Sequence, residues 1–188
     1  MARLGILIGV LLIVFPALFG TAVAAPSDPA GVVTEMVVKI KALRSSAPVV
    51  EYVHWETAFQ GVSEAERVAR GFRSPVEMKN YYTLLLGDPE RFARSEVARQ
   101  TAVVPPEQRA QVEKALEASL DQIRGARDRM REQFREIQFE VGEATISGDS
   151  ARVVVTTKIG QETVQGPVDL IQREGRWYLP SVLFATSR

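Results

Sequence analysis

The fold is decided by the last third of the chain, which runs IQFEVGEATI (137–146), SGDS (147–150), ARVVVTTKI (151–159), GQETVQGPVDL (160–170) and IQREGRWYL (171–179). Apolar residues here recur every second position, the period of a strand with one buried face. Ile137, Phe139 and Val141 share one phase, whereas Ala144 and Ile146 hold the other. One extra residue near Gly142 would bring both sets to the same face, so a bulge is expected there. Ser147–Ser150 reads as a turn, and Val153, Val155, Thr157 and Ile159 as a second strand. After a turn at Gly160-Gln161, Val164, Val168 and Leu170 belong to a third strand. Glu174-Gly175 is a two-residue hairpin loop, and Trp177, Leu179 and Leu183 fall in a fourth strand. Pro167 and Pro180 cannot donate to a ladder and mark edges or bulges.

Working back from this meander, the period becomes helical. The longest helix is expected over 106–135, opened by Pro105-Pro106. Its apolar stripe is Val112, Leu116, Leu120, Ile123, Met130, Phe134 and Ile137, close to a coiled-coil repeat. Acids dominate its first half and arginines its second, which suits the helix dipole. Earlier, Asp28-Pro29 caps and starts a helix over 29–45, with Val32, Val33, Met36, Val37 and Ile40 on one face. Residues 49–60 read as a helix, with a buried strand as the alternative. Ser63-Glu-Ala-Glu66 has capping-box spacing and opens a short helix to about Arg70. Ser74-Pro75 starts another to Leu86, and Asp88-Pro89 a further one to about Gln100. Helices followed by an antiparallel meander define an α+β chain: a helical N-terminal half, then a four-strand sheet.

The first residues are an address. Arg3 precedes an apolar run from Leu4 to Phe19, and Gly20–Ala25 are small residues. This is the pattern of a secretory signal peptide, with cleavage expected after Ala25. The apolar run is shorter than the ~20 residues that span a bilayer, and no later segment is apolar enough for a span. Residues 26–188 would then form a single exported domain, in the periplasm or outside the cell, with a helical insertion at about 60–135.

Composition excludes several chemistries. Of 188 residues, 23 are basic and 23 acidic, so there is no basic excess to bind nucleic acid. The absence of cysteine removes disulfides, thiol nucleophiles and thiolate metal sites. With a single histidine, His54, a multi-histidine metal centre is impossible. His54-x-Glu56 echoes part of a zinc-deaminase motif whose cysteines the chain lacks; a structural histidine among aromatics fits better. No nucleophile elbow, phosphate loop, dinucleotide motif or EF-hand is present. No cofactor, metal or catalytic residue is therefore expected.

Trp177, Tyr178 and Trp55 are the candidate walls of a ligand pocket, because aromatics offer large contact areas; Trp177-Tyr178 reads more readily as a core strand, though one residue can serve both. The arginines from Arg124 to Arg135 could bind anions. Asp128, Glu132 and Glu136 interleave with them, however, and Arg124–Asp128 and Glu132–Arg135 are natural pairs of a solvated helix face.

The segment Val168–Leu179 resembles the penultimate hairpin of the nuclear transport factor two-like superfamily. Ala151–Thr157 is similar to that family's preceding strand, and residues 29–45 to its opening helix. The resemblance implies a curved sheet wrapped around a helix, with a cone-shaped pocket. Enzymes of the ketosteroid isomerase type within it use an acidic base and a tyrosine, but no motif here places either one. Pro167-Val-Asp and Gly175–Val182 also resemble the C-terminal sheet of Mla-type periplasmic phospholipid carriers. Together these imply an exported, non-catalytic module that binds a hydrophobic small molecule or an envelope protein. A lipid carrier and a cone-pocket enzyme are the alternatives.

Overall fold

The computed structural model describes residues 28–102 and 105–182. The signal-like segment and Leu183 lie outside them. Among the described residues six α-helices precede four strands: α1 (Pro29–Leu43), α2 (Trp55–Gly61), α3 (Glu64–Arg70), α4 (Pro75–Gly87), α5 (Pro89–Thr101), α6 (Pro106–Glu136), β1 (Gln138–Ser147), β2 (Ser150–Ile159), β3 (Glu162–Arg173) and β4 (Arg176–Tyr178). A 3₁₀ turn, Ala47–Tyr52, joins α1 to α2. The strands form one open antiparallel sheet in the order β1-β2-β3-β4. The chain is α+β, helices first.

The local signals act as their chemistry dictates. The Asp28 carboxylate accepts from the Gly31 amide at 2.8 Å, and Ser63 and Ser74 cap α3 and α4 in the same way through Glu66 and Glu77. Truncating Asp28 to alanine is expected to cost about 0.5–2 kcal/mol, read as a lower melting temperature with the far-UV spectrum unchanged. The β1–β2 register shifts between Val141 and Ala144, which restores Ala144 to the buried face opposite Val153. Gly142 sits in that bulge, where a Cβ would come within 3.1 Å of the Val154 carbonyl. Glu174 and Gly175 both have positive φ (52° and 76°), as a type I′ hairpin turn requires.

The core lies between α1 and one face of the sheet. Val33, Met36, Val37 and Ile40 of α1 share a single apolar cluster with Val153, Val155, Val168, Leu170 and Trp177. Tyr52, Trp55, Phe72, Met78 and Tyr82 extend it beneath the short helices. The segment 60–135 forms α3 to α6. Its most buried α6 residue, Leu120 (0% exposed), lies outside that main cluster.

Four expectations need correction. Residues 49–60 are not one helix. The Leu179 amide donates to the Tyr52 carbonyl and the His54 amide to the Leu179 carbonyl, a parallel bridge that holds residues 52–54 extended. The same bridge ends the fourth strand at Tyr178, because Leu179 pairs with Val53 rather than β3, and Pro180 follows. The α6 stripe is buried at Leu120 and Ile137 and half-buried at Val112, Leu116, Ile123 and Phe134, but Met130 is 46% exposed, so within this chain the stripe breaks there. Arg124 pairs with Glu90 of α5 and with Asp121, not Asp128; Glu90 is mostly buried beside α6 and offers a drier partner. The expected Glu132–Arg135 pair forms at 3.1 Å.

Candidate functional site

β4 is too short to cover β3 along its length, and α1 ends at Leu43. These two facts leave one end of the sheet face open. Val164 has the phase of Val168 and Leu170 yet is 63% exposed, because no element among the described residues covers it. Pro167 stands on the unpaired outer side of β3, where its missing N–H costs no ladder bond.

Between that end of the sheet and α1 lies a cleft of about 500 Å³. Met36, Val37 and Ile40 form one wall, Phe139, Val155 and Val168 another, and Phe134 and Ile137 approach from the end of α6. Val49 of the 3₁₀ turn and Val164 contribute further apolar surface. The polar lining side chains are Ser46, Thr157 and Gln165; among the described residues no ionisable side chain lines the cleft. Such a volume and lining suit a small apolar ligand oriented by a few hydrogen bonds.

The sequence-predicted aromatics lie elsewhere and are not all brought together. Trp177 and Tyr178 line a smaller, polar pocket of about 180 Å³ with Glu35, Lys39, Tyr52 and Arg176. Trp177 is itself buried in the core (6% exposed). Trp55 is buried under α4, stacked near Tyr82, and its Nε1 donates to the Val50 carbonyl at 3.2 Å. His54 caps α2: its Nδ1 accepts from the Thr57 amide at 3.3 Å, and its ring meets Tyr178 edge-on. The cleft residues Val155, Thr157 and Val164 were legible as strand residues. Their grouping with Ile40 and Phe134 depends on where α1 stops, which no local pattern encodes.

The small pocket has its own electrostatics. Tyr52 donates to Glu35 at 2.9 Å, and Lys39 bridges Glu35 and Glu51 at 3.1 and 3.0 Å. The Lys39 ammonium, and then the Tyr52 hydroxyl, hold the Glu35 carboxyl below the usual carboxylate range. Burial pushes the Tyr52 phenol up. The Glu35 contribution to folding is therefore present above the ordinary carboxylate pKa and is lost as acid titrates the folded-state group. Glu35 is thus ionised and already paired near neutral pH.

Among the described residues, no group of three or more acidic or histidine side chains is placed to hold a metal ion. None of their helices is long and apolar enough to cross a membrane. No protein-family model matches the chain, and neither a curated protein nor a solved structure matches it.

Proposed function

We propose that the protein binds a hydrophobic small molecule in the cleft between α1 and the open end of the sheet, without catalysing a reaction on it. The observation that carries this reading is the lining: about 500 Å³ of accessible space bounded by apolar side chains with no acid, base or nucleophile pair among them. Binding there would be driven by removing apolar surface from water, at about 25 cal/mol per Å² buried. Thr157, Gln165 and Ser46 supply the polar contacts that orient the ligand. The nearest carboxylate–tyrosine pair, Glu35 and Tyr52, lies in the other pocket and is engaged with Lys39, which speaks for carriage or sensing over isomerase chemistry. The leader-like pattern of residues 1–25 supports a site of action outside the cytoplasm.

The test uses Nile red, a neutral apolar dye, with the purified protein. A single saturable site is expected. Thr157 is half-buried on β2 at the cleft, so Thr157→Trp fills the space with a residue that strands accept. It should weaken dye binding at least about tenfold, a loss of roughly 1.4 kcal/mol, with the circular dichroism spectrum retained. Dye binding that the substitution leaves untouched would refute the cleft as the site.

A further inference from the structure

A second depression opens beside the apolar cleft. It has a volume of about 340 Å³ and lies where the cap of α1, the α4–α5 turn and the middle of α6 meet. Ser46 lines both spaces, so the two adjoin. The character of this depression is different. Leu85, Leu86 and Ile123 give it apolar surface, while Arg44, Arg127 and Arg131 are the basic residues of its lining.

Internal partners neutralise these arginines incompletely. Among the described residues no ion pair joins Arg44 to a carboxylate, and Arg131 reaches Asp128 only at 3.9 Å. Arg127 Nη1 binds Glu90 Oε1 at 3.0 Å, but Glu90 also serves Arg124, at 2.9 Å. The Arg127 Nε–H is buried with no hydrogen-bond partner. A buried donor left unpaired is costly. Arg44 itself sits at φ 48°, ψ 45°, the left-handed conformation that closes α1. Glycine is the unstrained residue at such a cap. An arginine kept there, with no internal salt bridge to offset the strain, breaks a local rule at the edge of a pocket, as functional sites do.

We infer that this depression receives the anionic head of the ligand whose apolar chain occupies the cleft. The ligand is then a single-chain amphiphile ending in a carboxylate or a phosphate. This assignment rests on the cleft reading above. Guanidinium forks match both oxyanions, and Ser46 marks the passage from head to chain.

The experiment is isothermal titration of the purified protein with laurate, dodecyl phosphate, dodecanol and inorganic phosphate, each below its aggregation concentration. Laurate and dodecyl phosphate should bind at least about tenfold tighter than dodecanol, the size expected of a charge-assisted hydrogen bond. The preference should shrink with added salt. Arg44→Gly relaxes the left-handed cap and so keeps the fold; combined with Arg127→Gln it should bring both anionic probes down to the dodecanol level and leave dodecanol unchanged. Thr157→Trp should weaken all three chain-bearing probes. Equal binding of laurate and dodecanol, or a preference that survives the arginine variants, overturns the head-group assignment while leaving the cleft reading intact. Inorganic phosphate binding as tightly as dodecyl phosphate overturns the amphiphile. Anion binding that falls with the arginines but ignores Thr157→Trp overturns the cleft reading and the joint site together, as does the failure of every chain-bearing probe to bind.

Discussion

Trp177→Ala is expected to destabilise the protein by about 3–5 kcal/mol, a large part of the 5–15 kcal/mol typical of a folded domain. Trp177 is 6% exposed and belongs to the apolar cluster that joins α1 to the sheet. It sits on β4 opposite Gln172, two residues before Leu179 docks against Val53. Loss of the indole therefore removes buried area and loosens the three-residue strand that carries the bridge. Chemical denaturation should show the lower midpoint. Binding of an apolar probe by the remaining folded fraction should be unchanged, because Trp177 does not line the apolar cleft. A variant with wild-type stability and lost binding would reverse that assignment and return Trp177 to the role of pocket wall.

The second large effect is expected at Leu120, and it should be local. Leu120 is 0% exposed, yet it lies outside the cluster that holds α1 and the sheet together. Around it, α5 and α6 are tied by Arg94–Glu117, Arg124–Glu90 and Arg127–Glu90. The Arg94 and Glu117 side chains are at least half exposed, and such pairs contribute little. Leu120→Ala should cost about 2–5 kcal/mol, felt mainly as opening of α5 and α6. Hydrogen exchange should accelerate across residues 89–101 and 106–136, while β2 and β3 keep their protection. Equal acceleration in the sheet would show that the helical segment and the sheet unfold as one unit.

What the sequence made legible is what short-range chemistry controls. Asp28, Ser63 and Ser74 could be read as caps because a cap needs only its own side chain and the next amides. The Gly142 bulge was legible because the apolar phase flips between Val141 and Ala144, and one buried face demands a correction. The Glu174-Gly175 turn was legible as a two-residue hairpin loop between strand-like stretches, and both residues take the positive φ that such a turn requires. The failures are long-range. Nothing near Tyr52 announces that its carbonyl will pair with Leu179, more than a hundred residues away, and that pairing breaks a helix-like segment. Arg124 preferred Glu90 over its intrahelical neighbour because α5 packs beside it. The cleft was invisible for the same reason: it is the space left where α1 stops short of Val164, a mismatch of element lengths. Trp177, Tyr178 and Trp55 stand out in the sequence by their size, but their area is largely spent in packing. In the sequence, Arg127 and Arg131 read as a solvated helix face. Only the fold shows that they meet Arg44 from another helix.

The most direct test of the cleft is a methyl- and indole-resolved NMR titration of the protein with laurate. The account predicts shifts at the methyl groups of Ile40, Val155 and Val164, which line the cleft, with the indole resonances of Trp55 and Trp177 unmoved. Shifts at the two indoles, with those three methyl-bearing residues silent, would contradict it and place the ligand among the aromatics.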